Sequence, residues 1–393
     1  MKLKITFLLA FALVVGACTN KKTQKEDMAT TNKKIAAATP NDMFLLVGTY
    51  TSDEGSKGIY VYKLDTETGQ ADSLSMAEAV NPSYLAVSPN EEFVYSVSES
   101  GEGNSTASAF AFDKKRGVLK LLNSSNTKGT GPCYIETDNA GKTVVTANYG
   151  GGNISLFQTK DDGTLFPVNL VIDFEGSGPD KDRQNNPHLH SVRFSPDGRF
   201  LFAADLGTDK IYRFDAIGSV FEGQPPVSQG SLKEFSTPAG AGPRHFDFHP
   251  GGKYFYVLGE LSGDVIVYDY DEGDLKEKQV IATDSVEGSR GSADIHASPD
   301  GRFLYASNRL KDDGVAIFSI NPDDGTLTKV GYQPTGKHPR NFVITPNGKL
   351  LLVASRDDNK IQVFSIDNQT GLLTDLHQDI SISKPVCLKF ASM

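Results

Sequence analysis

Apolar and polar residues alternate in short runs along most of this chain, and the runs come in pairs. Residues 293–309 show the unit. One apolar run ends in Ser-Pro-Asp-Gly at 298–301, and Phe303-Leu304-Tyr305-Ala306 follows at once. Proline presets φ and Asp-Gly supplies the left-handed positions, so the tetrapeptide predicts a β-hairpin. Equivalent turns are anchored at Pro89, Asn139, Pro196, Pro250, Pro299 and Pro346, at intervals of 50, 57, 54, 49 and 47 residues. A third alternating run follows each hairpin, beginning at Ala107, Asn153, Lys210, Asp264, Gly314 and Lys360, with a seventh copy at Gly58. The hairpin that should precede Gly58 is split. Its second half is Phe44 to Thr49, and an unpartnered first half, Pro385 to Phe390, stands at the other end of the chain.

A period near 50 with four strands per period predicts an all-β fold: a seven-bladed β-propeller of four antiparallel strands per blade. Pairing of the N- and C-terminal strands closes the ring and removes an exposed sheet edge. Residues 43–393 then form one domain. Residues 1–18 read as a targeting segment, with Lys2 and Lys4 ahead of an apolar core at 5–15 that is too short to span a bilayer. It ends Val15-Gly16-Ala17-Cys18, which resembles a lipoprotein signal. The expectation is a lipid-carrying Cys18, a membrane tie through that lipid, and a place in the cell envelope, periplasmic or on the outer membrane. Residues 19–42 are polar and aperiodic, a disordered tether.

Charge narrows the partners. The whole chain carries −10 and its first 42 residues +4, which leaves −14 for the remainder. A domain this acidic does not suit nucleic acid. A small anionic ligand stays open if basic residues gather at one place.

The repeat register says where they gather. Innermost strands line the channel of a propeller, and the second strand returns to the same face. Residues six before each turn anchor and ten after it should therefore meet around one mouth. The early position holds Ser83, Cys133, His190, Arg244, Ala293, Arg340 and, in the split blade, Val386. The late position holds Glu99, Tyr149, Leu206, Glu260, Arg309 and Arg356, with Asn148, Asp205 and Asn308 just before. Structural positions in a repeat should be alike, whereas these differ and are dense in ionisable groups. His188, His245 and His338 flank the early positions. Arginine forks bind carboxylate or phosphate, and carboxylate beside imidazole supplies acid–base chemistry. No Gly-x-Ser-x-Gly elbow, Walker loop or dinucleotide fingerprint occurs. The spacing of His188 and His190 offers two metal ligands but not a full set, so neither metal nor cofactor is assigned. Cys133 and Cys387 read as small buried residues, and the long connection at 172–187 as functional or mobile.

Asn186-Pro187-His188-Leu189-His190, Gly242-Pro243-Arg244-His245, residues 294–309 and His338-Pro339-Arg340-Asn341-Phe342 closely resemble the seven-bladed lactonase propeller family over residues 43–393. That family includes propeller-type 6-phosphogluconolactonases and a carboxy-muconate lactonising enzyme. The resemblance implies hydrolysis of a sugar-derived lactone without metal. It places His190, Arg244, Glu260 and Arg309 as catalytic, and the repeat register adds His188, His245, Asn308, His338, Arg340 and Arg356 as substrate-binding candidates. A muconate-type cycloisomerase and a non-catalytic binding propeller are the alternatives. One departure stands out: phosphogluconolactone arises in the cytoplasm, whereas the leader points outward. The leader is given more weight than the substrate name.

Overall fold

The computed structural model describes residues 41–101, 103–217, 224–286 and 291–393. The targeting segment, Cys18 and all but the end of the tether lie outside these residues. Among those described, no helix is long and apolar enough to cross a membrane.

Seven antiparallel sheets follow one another around the ring. Their inner strands are Pro385–Ser392, Leu85–Val87, Pro132–Thr137, Leu189–Phe194, Pro243–Phe248, Ile295–Ala297 and Pro339–Ile344. The second strands are almost wholly buried, as in Phe200–Asp205, Tyr254–Gly259 and Leu350–Ser355. Both of their faces meet a neighbouring blade, so the alternation seen in outer strands gives way there to continuous apolar runs. Cores between blades result. In one, Phe202, Phe246, Phe248 and Phe255 pack in ring contacts with centroids 4.8–6.2 Å apart.

The turns behave as their residues require. Ser298 Oγ donates to Asp300 at 2.6 Å and accepts from the Phe303 amide at 3.0 Å, while Gly301 takes φ 71°. Glu91 fills the equivalent place in the Ser-Pro-Asn-Glu turn at φ 56°, where glycine would sit without strain.

The ring closes through the termini. Asp42–Thr49 pairs with Pro385–Ser392 on one side and Gly58–Asp65 on the other, so the first blade draws strands from both ends of the chain. The seventh blade departs from four plain strands. Its outer edge is made in two pieces, Leu373–Asp375 and Ile380–Ser381, both paired with Lys360–Ile366.

One irregularity recurs where the site is built. In five blades the inner strand carries an extra residue near its start, unpaired with the second strand. Pro132 pairs with Asn148 and Tyr134 with Ala147, which leaves Cys133 extra. The same register shift singles out His190, Arg244, Arg340 and Val386. Bulges bend a strand and re-aim a side chain. Here they fall at the early position of the repeat.

Leu388 is fully buried in the closing strand, paired with Val47 and packed among residues of the seventh blade. Leu388→Ala should cost about 2–5 kcal/mol in denaturant unfolding. Leu372→Ala, on an exposed outer position, should change stability by less than about 0.5 kcal/mol. Equal effects would contradict closure by the terminal strand.

Candidate active site

The bulged inner strands and the ends of the second strands meet at the mouth opposite the hairpin turns. At its centre is the Glu260 carboxylate, one residue beyond Tyr254–Gly259, its amide donating to Gly242 O at 2.8 Å. Arg244 Nε donates to Glu260 Oε2 at 2.9 Å, and Arg309 Nη2 lies 3.3 Å from the same oxygen. His190 Nε2 lies 4.0 Å from it. The other oxygen, Oε1, accepts from Arg183 Nη2 at 2.8 Å. His190, Arg244, Glu260 and Arg309 are therefore neighbours, drawn from three blades. Arg183 comes from the long connection before Leu189–Phe194, and the repeat register did not find it. The signal was the length of that loop.

Each of the two inner arginines is backed by a histidine and then an aspartate. Arg244 Nη1 lies 3.2 Å from His245 Nε2, and His245 Nδ1 lies 2.7 Å from Asp294 Oδ1. Arg309 Nη1 lies 3.2 Å from His338 Nε2, and His338 Nδ1 lies 3.6 Å from Asp357 Oδ2. An arginine can only donate. Each imidazole must therefore accept at Nε2 and carry its proton on Nδ1, toward the aspartate. Backbone carbonyls complete the arginine hold: Arg244 donates to Ala293 O, and Arg309 Nε donates to Gly291 O at 2.6 Å.

Burial and charge set the protonation states. Burial, with the charges of Arg244, His245 and Arg340, holds His190 well below the usual histidine range. Burial and Arg244 bring His245 to about 3, and burial with Arg309, Arg356 and Arg340 brings His338 to about 3. All three are neutral at pH 7. Burial alone would raise Glu260, but Arg309, Arg244 and the Arg183 hydrogen bond override it and hold the carboxyl at about 2. Burial and the arginines around it lower Arg309 to about 9, still cationic at neutral pH.

The remaining candidates divide. Arg340 lies 3.8 Å from Glu99 Oε2 and over the Tyr50 ring, and the Tyr50 hydroxyl donates to Glu99 at 2.9 Å. His188 stacks on Tyr149 at 4.4 Å, with Nδ1 2.9 Å from Tyr149 O. Arg356 forks onto its neighbour Asp357. Asn308 is buried, its carbonyl accepting from Ser292 Oγ at 2.7 Å and Thr283 Oγ1 at 3.0 Å, which makes it a cap between strands. His245 is buried behind Arg244, in the aspartate-backed chain above. Asp294 was missed as a site residue. The equivalent places in other repeats hold Tyr84, Tyr134, Ser191, His245 and Asn341, so the repeat gave it no distinguishing signal beyond its charge.

Cys133 is buried, its sulfur 3.7 Å from His190 Nδ1, and it is unbridged, as is Cys387. Burial pushes the Cys133 thiol up to about 12, which leaves it protonated and unsuited to nucleophilic work. Below the arginines, Tyr84, Cys133, Arg244, His245 and Arg340 help to enclose a cavity of about 10 Å³, room for about one water. Around Glu260 the arginines and histidines form a polar cup. Among the described residues no group of three or more His, Cys, Asp or Glu is arranged to hold a metal ion.

Comparison with known proteins bears on this cup. The chain is 39% identical over 344 residues to the 6-phosphogluconolactonase of Formosa agariphila, covering 86% of this chain and 97% of that one. It is 37% identical over 351 residues to the 6-phosphogluconolactonase of Bacillus subtilis, covering 88% and 97%. Among solved structures, the periplasmic gluconolactonase PpgL of Pseudomonas aeruginosa superposes with a TM-score of 0.82 at 32% identity, covering 89% of this chain and 99% of that one. The profile of the family described as "Lactonase, 7-bladed beta-propeller" matches residues 44–390, the span over which the seven sheets run, and the chain belongs to that family.

Proposed function

We propose that this protein hydrolyses a sugar-derived lactone of the gluconolactone or 6-phosphogluconolactone type at the mouth centred on Glu260. The observation that carries this is the convergence of Arg244, Arg309 and His190 on one oxygen of Glu260, at 2.9, 3.3 and 4.0 Å. Export to the cell envelope, with Cys18 lipidated, belongs to the same proposal. It is supported by the leader sequence and by the likeness to a periplasmic gluconolactonase.

The chemistry follows from the protonation states. Neutral His190 takes a proton from water as the water oxygen bonds to the lactone carbonyl carbon. The carbonyl oxygen becomes an oxyanion, which the positive charges of Arg244 and Arg309 stabilise. Such electrostatic stabilisation is usually the largest catalytic contribution. The intermediate then collapses, the bond to the ring oxygen breaks, and the His190 imidazolium returns its proton to that oxygen. Glu260 does not share the proton work. An acid held at about 2 is empty of protons at pH 7. Its charge fixes the arginines and favours the imidazolium beside it, as the carboxylate of a hydrolytic triad does.

Hydrolysis of glucono-δ-lactone and its 6-phosphate, assayed with variants, tests this. Arg244→Ala, His190→Asn and Glu260→Gln should each lower kcat about a hundredfold or more. Activity within threefold of wild type in both Arg244→Ala and Glu260→Gln would sink the scheme. The pH profile checks the base. Because His190 is held below the ordinary range, kcat/KM for the neutral lactone should stay level from about pH 7.5 down to about pH 6. Half-loss near the ordinary histidine pKa of about 6.5 would contradict His190 as the buried base.

A further inference from the structure

We propose that Arg183 is the specificity-determining residue for lactones that carry an anionic group remote from the ring ester, exchanging Glu260 for that group when substrate binds. The proposal rests on the lactonase reading and adds a residue and a selectivity to it.

The arginines of the cup are not equivalent. The Arg244 and Arg309 side chains are 1% and 6% exposed and tied to backbone carbonyls, whereas Arg183 is 42% exposed. Arg356 is committed to Asp357, which also receives Lys384 at 2.9 Å. Arg340 sits over Tyr50 beside Glu99. Among the described residues, the Arg183 guanidinium meets the Glu260 carboxylate at 2.8 Å and the Tyr149 hydroxyl at 3.3 Å.

Glu260 can lose Arg183 and stay paired. Arg183 uses Oε1 alone, while Arg244 and Arg309 both engage Oε2. Four guanidinium groups, Arg183, Arg244, Arg309 and Arg340, contact only two carboxylates directly, Glu260 and Glu99, so cations predominate at the face of the cup. A phosphate monoester carries nearly two negative charges and suits a guanidinium fork. The two inner arginines are aimed at the ester carbonyl. A second anionic group, further along the substrate, needs a separate cation nearer the solvent.

The backbone beneath Arg183 is fixed, so the exchange requires only side-chain rotation. Gln184 is fully buried, its amide donating to Leu206 O at 2.8 Å and to Asp209 Oδ1 at 2.7 Å. Asp180 Oδ1 accepts from the Asp182 and Arg183 amides, and the Gln184 amide donates to Asp180 O. Asp209 in turn holds the amides of Gly240 and Gly242 at 2.6 and 2.8 Å, on the segment leading to Arg244. One buried carboxylate thus sets the outer arginine against the inner one.

Arg183→Met keeps the length of the side chain and removes its charge. With the full chain, kcat/KM for 6-phosphoglucono-δ-lactone should fall about thirtyfold, carried by KM, for loss of a charge-assisted hydrogen bond. For glucono-δ-lactone the fall in kcat/KM should be at least about tenfold smaller. Parallel losses on both lactones, or no loss on either, would overturn the proposal. A thermal melt of the variant within about two degrees of wild type shows that the fold is intact. If the wild-type chain turns over neither lactone, the lactonase reading fails, and Arg183 is judged by calorimetric titration with 6-phosphogluconate against gluconate. The wild type must then prefer the phosphorylated acid and Arg183→Met must lose the preference. A wild type with no preference rejects the assignment.

Discussion

Two guanidinium groups buried side by side repel each other and each loses its hydration, so they persist only around a shared anion. Glu260 is that anion. Its Oε2 lies 2.9 Å from Arg244 and 3.3 Å from Arg309, and both arginines are nearly sealed from solvent. The rest of the cup answers to this arrangement. The arginine charges, together with burial, keep His190 neutral. The two backing imidazoles accept from the arginines because aspartates hold their other nitrogens. Removing one member of such a set leaves uncompensated charge in a low-dielectric interior, which costs about 3–5 kcal/mol. The propeller tolerates this polar knot because seven packed blades, closed by the chain termini, supply apolar burial elsewhere.

The propeller itself could be read from the chain because its signals are local and repeated. Pro-Asp-Gly turns, alternating runs and a half-hairpin at each end state the period, the strand count and the closure without long-range knowledge. The residues that the register singles out share a structural cause that the sequence does not display. His190, Arg244 and Arg340 differ from one another because each is the extra residue of a bulge, released from the ladder and free to carry chemistry. What the repeat frame could not deliver lies outside the frame. Arg183 belongs to the longest connection between successive blades, and only that length marked it. Asn308 shows a position of mixed character. It shares the register of a site position, yet its carbonyl is spent on Ser292 and Thr283.

Protonation was also beyond reach of the sequence. Glu260 and His190 are equally plausible bases when read as residue types. Burial and charge separate them: Arg309, Arg244 and Arg183 strip Glu260 of its proton against its burial, while burial, Arg244, His245 and Arg340 keep one off His190. A permanent anion thus lies beside a neutral imidazole, the pairing on which the proposed hydrolysis rests.

The central claim is that a lactone carbonyl is received between Arg244 and Arg309 at the mouth that Glu260 organises. The most direct measurement is a crystal structure of the protein with bound 6-phosphogluconate, whose carboxylate marks where that carbonyl sat. The account predicts that this carboxylate lies within hydrogen-bond reach, about 3 Å, of both arginines, on the side of the ring away from the Pro-Asp-Gly turns. An acid bound at the turn face or between outer strands, with the Glu260 cluster untouched, would contradict it.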